Sequence, residues 1–262
     1  GDHRDLHTAY RRQRQMCIRD RDIALVGVPY DGAVEARSGA RQGPRQIRDM
    51  SSMMRAIHHV TRINPYELCR IADVGDVHFK QIFDIAASHA DITCFYEKLY
   101  NSGIVPLSAG GDHSITLPIM RAIAKDQPIG LVHIDAHTDC CDEEMNSKYS
   151  HGTPFRRAVE EGLLDPKRTI QIGIRGAANS DECWEFGPKH GIRIVYIEEF
   201  TKLGVEKVIT EARRVVGDGP TYVSFDIDSI DPAFAPGTGT PEIGGLTTIE
   251  AQSLIRGLRG LN

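Results

Sequence analysis

The segment Asp135-Ala136-His137-Thr138-Asp139 sets carboxylate, imidazole and carboxylate at alternate positions. On an extended backbone residues i, i+2 and i+4 leave from the same face, so these three side chains converge. Asp226 and Asp228 repeat the spacing with two carboxylates, and His113 follows a glycine pair suited to a tight turn. The six residues offer four carboxylates, two imidazoles and no thiolate, more donors than one ion requires. Two ions bridged by shared carboxylates would use them all. An oxygen-rich set with some imidazole suits Mn2+ better than a thiolate-rich structural zinc site does. Ligand type alone leaves Ni2+, Co2+ and Zn2+ open. Each motif alone has a plainer meaning, since acidic turns are common and Asp often caps a helix or turn. Together they do not: four aspartates ending apolar strands repel one another unless cations sit between them.

The elements that must position these residues are legible as short, nearly continuous apolar runs at 23–28, 104–108, 129–134, 169–174, 192–197 and 221–227. Unbroken hydrophobicity is the pattern of strands buried on both faces. Amphipathic stretches at 84–101, 114–125 and 205–216 lie between them. Strand and helix in alternation predict an α/β fold with a parallel sheet covered by helices. His113, the Asp135–Asp139 run and the Asp226–Asp228 pair each follow one of the predicted strands, where open α/β sheets bind ligands.

Composition narrows the function classes. The chain has 262 residues, 40% of them hydrophobic and 26% charged, with a net charge of −5. That size fits one large domain. The acidic balance argues against a nucleic-acid partner, which needs a basic excess to meet phosphates. No run approaches the ~18 apolar residues of a membrane span, and no signal peptide opens the chain. The six cysteines lack regular spacing, which reads as reduced thiols in a cytoplasmic protein.

At the metal-ligand residues the chain resembles the ureohydrolase (arginase/agmatinase) family, closest to its agmatinase and guanidinopropionase/guanidinobutyrase branch. The matching segments are GVPYDGAVEARSGARQGPRQIR (27–48), PLSAGGDHSIT (106–116), GLVHIDAHTD (130–139), SHGTPFRRAVEEGLLDPKRTIQIGIRG (150–176) and SFDIDSIDPAFAPGTGTPEIGGLT (224–247). They fall in family order across 22–262. The resemblance implies a three-layer α/β/α arginase-like fold around a mainly parallel sheet, binding two Mn2+ ions. His113, Asp135, Asp139 and Asp226 would hold one ion, and His137, Asp135, Asp226 and Asp228 the other. It also implies hydrolysis of a guanidino compound to urea and an amine by a metal-bridging hydroxide. In that scheme Asp139 relays a proton to the leaving amine, and His151 shuttles protons to solvent, a role suited to its titration range. Gly152, Pro154, Pro236, Gly237, Gly239 and Pro241 would shape loops, and Asp31 and Arg37 could line the pocket.

The substrate is expected to be agmatine or 3-guanidinopropionate. Loop 140–150 offers Asp142, Glu143 and Glu144 to an ammonium, and Lys148 and Tyr149 to a carboxylate. The family resemblance further implies a homo-oligomer, trimer or hexamer. Where the family continues into a last strand and helix, this chain stops at Asn262, so the reading is of a C-terminally truncated domain over 22–262. Residues 1–21 read as a non-family segment, disordered or artefactual, because RRQRQMCIRDR (11–21) looks like translated sequencing adapter. Two other classes compete. One is a non-catalytic or assembly-only homologue, and the other a single-zinc deacetylase-like amidohydrolase, which needs fewer ligands.

Overall fold

The computed structural model describes residues 21–262, so the segment expected at 1–21 lies, but for Arg21, outside the described residues. The described chain divides into two compact units, one comprising residues 21–31 with 40–111, the other 32–39 with 112–262.

The first unit holds β1 (Ile23–Gly27), α1 (Gly43–Ser51), α2 (Pro65–Leu68), β2 (Ile71–Asp76), α3 (Ile85–Tyr100) and β3 (Val105–Ala109). Its strands form a parallel sheet in the order β2-β1-β3. The runs expected at 23–28 and 104–108 are β1 and β3. β2 is an addition: this edge strand interrupts its apolar residues with the exposed Asp73 and Asp76, so no apolar run marks it. Arg48 of α1 bridges both carboxylates, at 2.7 and 2.5 Å. α3 starts where Asp84 caps the Ala87 amide at 3.1 Å. Its Ile92, Tyr96 and Leu99 are buried, and the Tyr96 hydroxyl meets Ser108 Oγ at 2.6 Å.

The second unit holds a 3-10 turn at His113–Ile115, then α4 (Thr116–Ile123), β4 (Ile129–Ile134), α5 (Pro154–Glu160), β5 (Leu164–Ile174), α6 (Glu182–His190), β6 (Arg193–Tyr196), α7 (Ile197–Leu203), α8 (Val205–Val216), β7 (Thr221–Phe225) and α9 (Thr248–Gly257). Its parallel sheet runs β6-β5-β4-β7. Every residue of β4 is buried. Val132 and Ile134 pack with Val208, Ala212 and Leu254 of α8 and α9. Ile129 and Leu131 pack on the other face with Leu117, Met120 and Phe155 of α4 and α5. Helices thus cover both faces, giving α/β/α layering within this unit. Each such side chain contributes about 1.5–3 kcal/mol on burial, so apolar content on both faces fixes β4 at the sheet's centre. α9 is secured by a reciprocal cap between Thr247 and Glu250.

The strand order has a consequence for function. The chain leaves β4 toward β5 and β6 on one side, then returns to place β7 on the other. The carboxyl ends of β4 and β7 therefore flank a topological switch point, where α/β sheets open a crevice. Asp135 follows β4 and Asp226 follows β7.

The cysteines need a correction. Cys141 and Cys183 form a disulfide, whereas irregular spacing had pointed to reduced thiols; Cys69, Cys94 and Cys140 are free. The loop after β4 returns against the start of α6 and brings Cα atoms separated by 42 residues to 4.2 Å, a proximity that spacing does not encode. Among the described residues no helix is long and apolar enough to cross a membrane.

Candidate metal centre

His113 sits in the turn after Asp112, whose carboxylate holds that turn by accepting the Ser114 amide at 2.9 Å. Ser224 of β7 meets His113 Nε2 at 2.7 Å, leaving Nδ1 to face the carboxylates. Nδ1 lies 3.1 Å from Asp135 Oδ2, 2.9 Å from Asp139 Oδ2 and 3.2 Å from Asp226 Oδ2. It is buried yet meets no hydrogen-bond geometry with any of them. Three oxygens and one imidazole nitrogen converging without mutual hydrogen bonds is what a cation site requires.

A second group stands beside it. His137 Nδ1 is 3.2 Å from Asp228 Oδ2 and 3.6 Å from Asp135 Oδ1. The two groups share Asp135, one oxygen facing each. The backbone fixes this donor: His137 N donates to Asp135 Oδ1 at 2.7 Å. Asp228 Oδ1 accepts from Ala136 N at 3.2 Å, and Asp226 Oδ1 from Asp228 N at 3.0 Å. Asp139 adopts a left-handed backbone, φ 51°, which Asp tolerates better than most residues. A Cβ at Gly176 would stand 2.3 Å from the His137 ring, so only glycine leaves room for this imidazole.

The electrostatics match the donor chemistry. Burial lifts the Asp228 carboxyl, and repulsion from Asp135 and Asp226 takes it further, to about 8. Burial opposes charge on His137 as well, but hydrogen bonds to Asp135 and Asp228 raise it to about 11. Burial also works against ionisation of Asp135, yet the imidazoles of His133, His113 and His137 hold it well below the usual carboxylate range. Protons thus gather where divalent cations would relieve the same repulsion. The donors fit a pair of metal ions.

One participant is absent from the motif reading. His133, fully buried in β4, places Nε2 2.7 Å from Asp135 Oδ2 and receives Gln171 Nε2 on Nδ1 at 3.1 Å. It shares the inward parity of Asp135 and His137, and that alternation could have found it. Phe155 packs on the rings of His133 and His113, with centroids 4.3 and 5.3 Å away.

The centre opens on a cavity of about 410 Å3. His137, Asp139, His151, Glu35, Glu143, Glu144, Glu182 and Glu242 contribute to its wall, and among the described residues it has no lysine or arginine. Lys148 is exposed and Tyr149 lies beneath Arg121, 5.6 Å from ring centre to guanidinium carbon; neither lines the cavity. Asp142 pairs with Arg157 at 2.6 Å outside it. Asp31, in the first unit, is bonded to Arg41, and Arg37 donates to the Gly239 carbonyl at 3.4 Å. Gly152 and Pro241 are part of the wall.

Parallel α/β architecture with two carboxylate–imidazole groups sharing one aspartate defines a metalloprotein with a binuclear centre. The chain belongs to the Arginase family, whose pattern matches residues 21–262. It is 56% identical over 241 residues to guanidinopropionase of Pseudomonas aeruginosa, covering 92% of this chain and 76% of that protein. It is 49% identical over 242 residues to the mitochondrial agmatinase of Gallus gallus, covering 92% and 71%. The solved proclavaminate amidino hydrolase of Streptomyces clavuligerus superposes with a TM-score of 0.86 at 39% identity, covering 90% of this chain and 79% of that one.

Proposed function

We propose that this protein hydrolyses a linear guanidino compound to urea and an amine at a binuclear metal centre. The observation that carries the reading is the convergence of His113 Nδ1 with Asp135, Asp139 and Asp226 within 3.2 Å, next to His137 and Asp228, at a cavity of about 410 Å3. A guanidinium is resonance-stabilised, so its carbon resists neutral water. Two divalent cations, when bound, supply an acidified water that is a competent nucleophile at neutral pH. His113, Asp135, Asp139 and Asp226 would hold one, and Asp135, Asp226, His137 and Asp228 the other. Asp139 relays a proton to the departing amine, and His151 exchanges it with solvent from the cavity wall. Mn2+ suits the oxygen-rich donor set best.

The wall chooses the substrate's distal end by charge. Glu35, Glu143, Glu144, Glu182 and Glu242 favour an ammonium tail, as in agmatine, over a carboxylate. The 56% identity to guanidinopropionase supports the second reading, a carboxylate-tailed substrate. A homo-oligomer is our expectation for the working form. Apolar side chains exposed at Ile47, Met50, Met53, Met54, Ile57 and Val60 support it. A cytoplasmic location was expected from reduced thiols, and the Cys141–Cys183 disulfide runs against it.

Metal analysis paired with urea release from agmatine and from 3-guanidinopropionate tests the proposal. Two ions per chain with urea from agmatine is the expected result. Faster turnover of 3-guanidinopropionate reverses the tail assignment alone. Two bound ions with no urea from either substrate leave an assembly-only homologue, and a single ion returns the deacetylase-like alternative.

A further inference from the structure

His151 lines the cavity just ahead of α5, its side chain 17% exposed. Two contacts reach it from a loop more than a hundred residues earlier. Its amide donates to the Ala33 carbonyl at 3.2 Å, and its Nε2 lies 2.5 Å from Glu35 Oε2. That loop is pinned from behind, because Ala33 N donates to Asp112 Oδ2 at 2.9 Å, and Asp112 directly precedes His113. Glu35 is therefore held against His151 by the same turn that aims a metal ligand. Glu144, also nearby, is engaged locally by Ser150 Oγ at 2.6 Å and Gly152 N at 3.2 Å.

A carboxylate only accepts, so this contact needs a hydrogen on Nε2. The neutral imidazole then keeps its lone pair on Nδ1, free to take a proton. We infer that Glu35 is a positioning residue for His151, fixing its tautomer and stabilising the imidazolium that forms when Nδ1 is protonated. The inference rests on the proton-exchanging role proposed for His151. The proton balance is simple: Nδ1 gains one proton, the ring carries one positive charge beside the Glu35 carboxylate, and solvent later removes that proton.

The groups facing His151 agree with this arrangement. Burial disfavours its charged form, but Asp139 after β4, Glu35 on loop 32–39 and Glu144 on the loop before it outweigh burial and raise its titration. Asp112 faces it as well and feels its charge. On Glu35, burial acts against ionisation, but its own backbone amide and His151 hold the carboxyl below the ordinary glutamate value.

The test is a nitrogen-15 NMR titration of His151 in the full chain loaded with diamagnetic Zn2+, run beside the pH profile of kcat for urea release. Glu35→Gln should lower the His151 midpoint by about one pH unit, since an adjacent opposite charge is worth that much or more. The acidic limb of kcat, where His151 must lose its proton, should move to lower pH with it. Glu35→Asp keeps the charge and should retain most of the raised midpoint. Circular dichroism of both variants guards against misfolding. An unmoved midpoint in Glu35→Gln overturns the inference even if the enzyme releases urea. No urea from the native chain would instead sink the functional reading, with the titration still deciding the Glu35 contact.

Discussion

Asp135 accepts from two sides, His133 Nε2 at 2.7 Å and the His137 amide at 2.7 Å, and faces His113 Nδ1 at 3.1 Å without a hydrogen bond. Groups behind the ligands matter at this scale because an imidazole or carboxylate free to rotate loses its aim. Ser224→Ala removes the partner of His113 Nε2 and should weaken metal affinity by roughly 10–100-fold without unfolding the chain. Competition with a chelator dye would measure this, and unchanged affinity would show that Ser224 does not orient the ligand. Metal loading should also depend on pH. Asp228 and His137, lifted to about 8 and about 11, carry protons at neutral pH that a metal must displace. Occupancy should therefore fall as pH falls, and loading should release protons. Calorimetry in two buffers of different ionisation enthalpy reads that release directly. The converging donor residues were legible because alternate spacing at a strand end is a local property. His133 was passed over because it lies inside an apolar run.

At the level of elements, β4 and β7 carry the centre and α5 packs beside it. Phe155 opens α5, is fully buried, and packs on both His113 and His133. Phe155→Ala should cost about 3–5 kcal/mol through lost contacts and the cavity left behind. Urea denaturation would give the value, and a cost below about 1 kcal/mol would mean the site collapses around the gap. The strands at 129–134 and 221–227 were visible as continuous apolar runs, and the stretch at 205–216 coincides with α8. β2 was not visible because Asp73 and Asp76 break its apolar run at the sheet edge. α9 was likewise missed, since its start is set by the Thr247–Glu250 cap rather than by a long apolar stripe.

Across the molecule, the Cys141–Cys183 bond ties the cavity loop to α6 and closes a separation of 42 residues. Loop-closure entropy for that length gives a stabilisation of about 4 kcal/mol. Cys183→Ser should lower unfolding free energy by roughly 2–4 kcal/mol, measured by denaturant titration under non-reducing conditions. Thiol labelling of the denatured chain should find two more reactive groups after reduction than before. Equal counts would show that the bond does not form, and would restore the reading of reduced thiols.

Amino-acid order alone determined the donor inventory, the β4 and β7 strands that carry it and the family resemblance, because ligand spacing and apolar runs are short-range properties. Tertiary structure decided what depends on long-range proximity. It brought His113 to Asp226, more than a hundred residues away. It put Glu35 against His151, joined Cys141 to Cys183, left Lys148 and Tyr149 off the cavity wall, and set five glutamates along it. The physical reason is the strand order. With β7 returning beside β4, loops remote in sequence meet at one switch point, and no local pattern of residues records which of them will face each other.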